Sequence, residues 1–419
     1  MKKLNSEIIL MMIVSLFLLI YSIYNSIFST LHYDEAYSYL YYSQRILDFT
    51  DIGLANNHPL NSLLIYLSSY YFKFNDFMIR LPNIIFLFFY LLFAVKISKK
   101  TQLKLLTFGL LTLYWYLVPN FFSQARGYGI ASSIVLFFLY QFLNKPFNNK
   151  TILTSITILL VASYAFLGLV PLILSVSIYY LVFVIKNPIS FIKKNLIIVL
   201  SLSSALIYIT HILISVSAEG NPLYGSFNNS FLASTIGFYK DSFLKGIYDF
   251  GAVSNNMTNA SSFYNASDNI FFVVTLIGLM CFVGLLIYKK EEGRIKTTIV
   301  AILCFALLYI SSILMHKPFI TGRSLLPFYP VIVISIIEIL EFIISYFKAI
   351  NENEAYKRTI GLFLFIALLF NYQEKINKPL FNLSIEKKRE EINGIMNESN
   401  GSPHQLYYQK QKDLLEKRK

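Results

Sequence analysis

Long uninterrupted apolar runs are the feature of this 419-residue sequence that most restricts its fold. The first run extends from Ile8 to Phe28, and others of similar length recur along the chain. About 20 apolar residues can cross a bilayer as a helix, which pairs every backbone polar group within the segment. Only 14% of the residues are charged, whereas soluble domains carry about 25%. The pattern predicts an all-α, polytopic membrane protein.

The number of apolar runs close to spanning length predicts about 11 transmembrane helices. They cover residues 7–28, 78–98, 103–119, 127–143, 151–167, 169–186, 195–216, 269–288, 297–315, 324–346 and 358–371. The first run is interpreted as a retained helix, because no small-residue cleavage site follows it. Residues 1–371 are therefore predicted to form the membrane domain, and residues 372–419 a short polar tail.

Positive charges alternate between the predicted loops and indicate the orientation of the chain. One set of loops is rich in lysine and arginine and is assigned to the cytoplasm, for example Lys96, Lys99, Lys145, Lys150, Lys289, Lys290, Arg294 and Lys357. The net charge of +13 is interpreted as contact with anionic lipid, since no nucleic-acid motif is present. A bias towards Lys, Ile and Asn suggests a bacterium, and hence its cytoplasmic membrane.

Two external loops are long enough to hold functional residues. The first loop, 29–77, contains segments 35–47 and 59–72, in which apolar residues recur at helical spacing. Such amphipathic segments are predicted to lie as juxtamembrane helices along the membrane interface. The second loop, 217–268, is rich in Gly, Asn and Ser, which is typical of a mobile substrate-binding loop.

The adjacent carboxylates Asp34 and Glu35 directly follow the first apolar run. Ionisable groups are costly beside a membrane and are therefore often functional. Neighbouring helical residues point about 100° apart, so only one of the two can face a given cleft. We interpret the residue that faces the cleft as Asp34, acting as general base or metal ligand. The alternative is an interfacial pair solvated by water among the headgroups.

A second polar cluster, residues 56–61, contains Asn57 and His58. A residue before a proline is held extended, and Pro59 can start a helix. His58 is therefore presented rigidly and is predicted to bind substrate. Asn57 is a further candidate, although capping of the following helix would explain it equally well.

Cationic side chains near helix ends on the predicted outer face are candidate phosphate ligands. Arg126, close to Tyr128 in a glycine-containing turn, suits a phosphate because guanidinium pairs with phosphate bidentately. Lys317 and Arg323 precede a predicted helix whose N-terminus adds a positive field. Each cation could instead anchor a helix at the interface. Arg80 is interpreted as structural, pairing with a carboxylate of the first loop.

Four short segments carry a resemblance to a known family: D-E-A-Y at 34–37, N-H-P-L at 57–60, R-L-P-N at 80–83 and G-R-S-L-L-P at 322–327. They resemble the GT-C glycosyltransferases, and more closely the branch with protein O-mannosyltransferases and the aminoarabinose transferase of lipid A. Leu60 and Ser324 depart from that branch, which has His-Pro-Pro and an aromatic residue there. Most of the resemblance lies in residues 31–83.

The resemblance implies an integral membrane enzyme that moves a sugar from a polyprenyl-phosphate carrier to an acceptor hydroxyl outside the cytoplasm. It implies Asp34 as the catalytic carboxylate, with Glu35 beside it at the catalytic site, and a glycan, lipid or protein as acceptor. Some GT-C enzymes need a divalent metal such as Mg²⁺ or Mn²⁺, but the first loop lacks Asp-x-Asp, so no metal ligand is assigned.

Two other functions share this topology and lipid-linked substrates. A lipid-linked glycan transporter or flippase would need ionisable groups in the middle of its helices. Only Glu338 and Glu341 approach that description, near the cytoplasmic end of a predicted helix. An oligosaccharide polymerase or ligase would centre its chemistry on loop 217–268, which lacks a cluster of Arg and His.

Overall fold

The computed structural model describes residues 6–43, 58–71, 75–114, 121–184, 188–196, 199–208, 295–315, 326–346, 355–366, 369, 385–396 and 403–416. Within these ranges the chain forms helices and the turns between them, without any strand. The predicted helix 269–288 and the loop 217–268 lie outside the described residues. The described part of the chain therefore has the all-α character that its apolar periodicity predicts.

The helices, numbered in chain order, are α1 Ser6–Phe28, α2 Tyr33–Tyr37, α3 Pro59–Tyr71, α4 Asp76–Ser98, α5 Lys104–Gly109, α6 Gly127–Asn144, α7 Asn149–Ala165, α8 Val170–Tyr179, α9 Pro188–Lys194, α10 Val199–Tyr208, α11 Lys296–Met315, α12 Tyr329–Tyr346, α13 at 355–366, α14 Ile385–Met396 and α15 Pro403–Glu416. Turns of π-helix extend α2, α5 and α8, at Ser38–Tyr42, Leu110–Tyr114 and Tyr180–Val184.

Four of the described helices are long and apolar enough to cross a membrane, by length and composition. They are Ser6–Phe28, Asp76–Ser98, Gly127–Asn144 and Leu326–Ser345. On α1, Ile13, Leu16 and Ile20 are 57–60% exposed, and their spacing places them on one face of the helix. An exposed apolar face of this kind suits contact with lipid, as a membrane protein requires.

The membrane helices run between two ends of the bundle. At one end α4 and α6 begin, and here α3 packs against both of them, while α2 is bonded to α4 through Glu35 and Arg80. At the opposite end, Lys104 at the start of α5 pairs with Glu7 of α1 at 3.8 Å. Buried apolar side chains from α1, α4, α6, α7, α8, α11 and α12 form one continuous core between these ends. We call the first end, which contains Asp34, the site end.

Glu338 and Glu341 of α12 cap the N-termini of two neighbouring helices. Glu338 accepts hydrogen bonds from the Thr298 backbone N–H at 2.8 Å and hydroxyl at 3.0 Å, where α11 begins. Glu341 accepts a 2.5 Å hydrogen bond from the Gln102 N–H, just before α5. The first helical N–H groups lack partners within their own helix, so these carboxylates have a clear structural use.

The polar tail contains two helices that pack at the site end, which the sequence-based prediction of a short polar tail did not include. Tyr407 and Tyr408 of α15 are 0% and 2% exposed. They form a second, smaller core with Leu31, Ala36 and residues of α3 and α4. The tail helices have low mean hydropathy, which is why apolar run length did not predict them.

Candidate active site

The candidate site is built around an ion pair between Asp34 and Arg126. Arg126 Nη1 lies 2.5 Å from Asp34 Oδ2, although 92 residues separate them in the chain. Arg126 is 3% exposed and Asp34 is 31% exposed, so the carboxylate forms the accessible side of the pair. The two residues predicted as base and phosphate ligand are thus brought together at the site end.

Glu35, the neighbour of Asp34, points the other way and is fully buried. Its two oxygens accept hydrogen bonds from Arg80 Nε at 2.8 Å and Nη2 at 2.7 Å. Arg80 also donates to the Ser26 and Thr30 carbonyl oxygens, at 3.0 and 2.7 Å. The predicted structural pairing of Arg80 with a first-loop carboxylate is confirmed.

Burial and neighbouring donors set the charge and the position of the Glu35 carboxylate. Burial alone would raise the pKa of Glu35, but the Arg80 guanidinium outweighs burial and holds the pKa below its ordinary value of 4.5. The carboxylate also accepts from the backbone N–H groups of His32 at 2.8 Å and Ala125 at 2.6 Å. Glu35 is thus a buried carboxylate whose oxygens are taken up by Arg80, His32 and Ala125. Its predicted catalytic role beside Asp34 stays a prediction.

The backbone hydrogen bonds of Ala125 fix the position of the next residue, Arg126. The Ala125 N–H donates to Glu35, and the Ala125 carbonyl accepts from the Asn61 side chain at 3.0 Å. Asn61 in turn accepts from the Asn83 amide of α4 at 3.0 Å. Arg126 follows directly, with extended backbone angles, at the residue before α6 begins. The N–H and the carbonyl of Ala125 are therefore both hydrogen-bonded, and these bonds fix the backbone at Arg126.

An aromatic layer lies beneath Arg126. The Arg126 guanidinium lies over the Tyr128 ring, 5.5 Å from its centroid. The His58 ring meets the Tyr128 ring edge-on, with 5.0 Å between the ring centroids. Phe166, after α7, contacts both rings. His58 and Tyr128 are each 2% exposed. The structure thus places these two predicted substrate ligands next to Arg126 but under the protein surface.

Gly127 makes this close packing possible. A Cβ atom at position 127 would overlap the Ala165 carbonyl oxygen and approach the His58 side chain to 2.7 Å. Only glycine lets the start of α6 come so near to the end of α7. The glycine directly after Arg126 therefore has a packing role.

Several residues that build the site were not assigned a role from the sequence. Asn61 and Asn83 link α3, α4 and Ala125, and the Asn25 side chain donates to the Ser123 hydroxyl at 2.7 Å. A usable signal existed for Asn83, which lies one helical turn after Arg80 within an apolar helix. Buried polar side chains of this kind need partners, so they mark contacts between segments.

Three predicted ligands, Asn57, Lys317 and Arg323, lie outside the described residues. Among the residues that are described, no group of three or more His, Cys, Asp or Glu side chains could hold a metal ion. Asp34 Oδ2 lies against Arg126, and a Mg²⁺ or Mn²⁺ ion at this carboxylate stays a prediction. An open cavity of about 600 Å³ lies elsewhere, beside Asn149 at the start of α7.

A scan against protein-family models finds no matching family, and searches of curated proteins and of solved structures find no significant match.

Proposed function

We propose that this chain is an integral membrane glycosyltransferase of the GT-C type, with about 11 transmembrane helices. It would move a sugar from a polyprenyl-phosphate carrier to a hydroxyl of a glycan, lipid or protein at the outer face of the cytoplasmic membrane. The observation that carries the proposal is the ion pair of Asp34 and Arg126, which joins a partly exposed carboxylate to a buried guanidinium. A carboxylate and a phosphate-binding cation are the two groups that this transfer needs side by side.

The reaction assigns one task to each member of the pair. The acceptor oxygen attacks the anomeric carbon of the sugar while Asp34 takes the hydroxyl proton as general base. The bond from that carbon to the phosphate oxygen breaks, and its electron pair leaves with the polyprenyl phosphate. Arg126 stabilises the charge that develops on the phosphate. Lys317 and Arg323 would add to this stabilisation.

The pair also suggests how the carrier could engage the site. Without a ligand, Asp34 satisfies the charge of a nearly buried arginine, which would be costly to leave unpaired. A phosphate that binds Arg126 would replace this partner and free the Asp34 carboxylate to accept a proton. His58 and Tyr128 would act as positioning residues, because they pack beneath the guanidinium.

The contacts of α12 favour this enzyme over a lipid-linked glycan transporter. A transporter would use ionisable groups between its helices to respond to substrate or ions. The two carboxylates that could serve, Glu338 and Glu341, instead cap α11 and α5. The polymerase or ligase alternative rests on loop 217–268, which lies outside the described residues.

A complementation experiment tests the proposal. A strain that lacks the gene would receive the wild-type gene, the Asp34→Asn gene or a matched Glu7→Gln gene, and its envelope glycans would be compared by mass spectrometry. We expect one glycan mass to vanish on deletion, to return with wild type and Glu7→Gln, and to stay absent with Asp34→Asn at equal protein level. Full restoration by Asp34→Asn would refute the assigned base.

A further inference from the structure

We infer that the tail helices α14 and α15 are a structural part of the candidate site, and that Tyr408 is a positioning residue for the segment that carries Asp34. The effect of Tyr408 on the order of this segment is a property of the fold and does not depend on the reaction. Its consequence for carrier binding rests on the proposed function.

Tyr408 holds the backbone three residues before Asp34. Its hydroxyl accepts a buried hydrogen bond from the Leu31 N–H at 2.9 Å. Leu31 is 1% exposed and precedes His32, the residue that caps α2. A buried backbone N–H needs a partner, and here the partner comes from 377 residues further along the chain.

A second set of contacts ties the tail to the start of α4. The Tyr407 hydroxyl donates to Asp76 Oδ1 at 2.7 Å, and Lys388 Nζ lies 2.7 Å from Asp76 Oδ2. Lys388 also donates to the Ile27 carbonyl at 2.8 Å, in the last turn of α1. One lysine therefore joins the end of α1 to the beginning of α4.

These contacts reach the ion pair through a short chain of side chains. Asp76 and Arg80 lie four residues apart on α4, so they share one face of the helix. Arg80 binds Glu35, and Glu35 holds the Ala125 N–H immediately before Arg126. The tail thus contacts both the segment that bears Asp34 and α4, whose Arg80 holds Glu35.

The same contacts place the tail at the site end of the bundle. Lys388, Tyr407 and Tyr408 touch Ile27, Asp76 and Leu31, at the site end of α1 and α4. If the site faces outward, the mixed charges of the tail lie outside as well. Charge bias orients chains mainly through residues close to the ends of membrane helices, so a distant tail can break the rule.

Amide hydrogen exchange on the full-length protein in lipid nanodiscs tests the inference. We expect Tyr408→Phe, which removes only the hydroxyl, to raise exchange of the peptide containing Leu31 about tenfold, which corresponds to about 1.4 kcal/mol of local stability. The core of α6, residues 131–139, should keep its wild-type exchange. Lys412→Gln, an exposed position on the same helix, is the matched control and should change neither segment.

A second variant and a binding measurement complete the design. Lys388→Gln should raise amide exchange of the peptide 27–31 in the same way, because Lys388 and Tyr408 hold the same segment. In parallel, Tyr408→Phe should weaken binding of undecaprenyl phosphate several-fold. Unchanged exchange at Leu31 in Tyr408→Phe, or a rise that spreads through α6, would overturn the inference. Raised exchange without any binding of undecaprenyl phosphate by wild type would support the inference and count against the proposed function.

Discussion

Replacing Glu35 by glutamine should destabilise the protein far more than its position in the short helix α2 suggests. Oε1 accepts from Arg80 Nε and the Ala125 N–H, and Oε2 accepts from Arg80 Nη2 and the His32 N–H. The amide NH₂ of a glutamine must replace one of these oxygens, where it would face two donors. Two hydrogen bonds are then lost in a buried site, and Arg80 loses its counter-charge.

The magnitude follows from these losses. Each buried donor left without an acceptor costs about 1–3 kcal/mol, and breaking a buried ion pair from one side costs about 3–5 kcal/mol. We therefore expect Glu35→Gln to lower the free energy of unfolding by about 3–5 kcal/mol. Denaturant titration of the purified protein in mixed micelles would measure this difference.

The control is an ion pair of the same chemical type at the opposite end of the bundle. Glu7 lies 3.8 Å from Lys104, which is 29% exposed, so Glu7→Gln should cost less than about 1 kcal/mol. If Glu35→Gln is no more destabilising than Glu7→Gln, the interpretation of Glu35 as a buried anchor is wrong.

Two further predictions concern pH and packing. Because Arg80 lowers the pKa of Glu35, the stability due to this carboxylate is complete above its ordinary pKa of 4.5. It is lost as the pH falls from there through the lowered folded-state pKa, and Glu35→Gln should flatten this part of a pH titration of unfolding. Gly127→Ala should destabilise by about 1–3 kcal/mol, because the new Cβ would collide with Ala165 and His58. The matched Gly361→Ala meets no atom within 4 Å and should be neutral or stabilising, so equal effects of the two changes on unfolding would contradict this packing.

The sequence predicted the four described helices of membrane-spanning length because their apolar runs are long and continuous. Predicted bounds of 7–28 and 127–143 correspond to Ser6–Phe28 and Gly127–Asn144. Lys104–Gly109, with its π-helical extension, corresponds to the first part of the predicted helix 103–119, whose end lies outside the described residues. Hydropathy is a local property, so it is a good guide to such elements.

The site was predictable only in part, because its contacts join distant segments. Charge at the ends of helices indicated Asp34 and Arg126, and the pairing of Arg80 followed from its nearness to the first loop. Asp34 is partly exposed and Glu35 is buried. This difference depends on the direction of each side chain, which adjacent sequence positions do not reveal. The contact between Tyr408 and Leu31 depends on tertiary packing of two weakly apolar helices, for which the sequence pattern gave no signal.

Binding of undecaprenyl phosphate to the purified protein in nanodiscs tests the central claim most directly. Wild type should bind the carrier phosphate, and Arg126→Gln should bind at least about tenfold more weakly, since hydrogen bonds to charged groups contribute about 1.5–3 kcal/mol. Asp34→Asn should bind at least as tightly as wild type, because it removes the group that competes for Arg126. Equal affinity of wild type and Arg126→Gln would contradict the claim that this ion pair receives a lipid-linked phosphate.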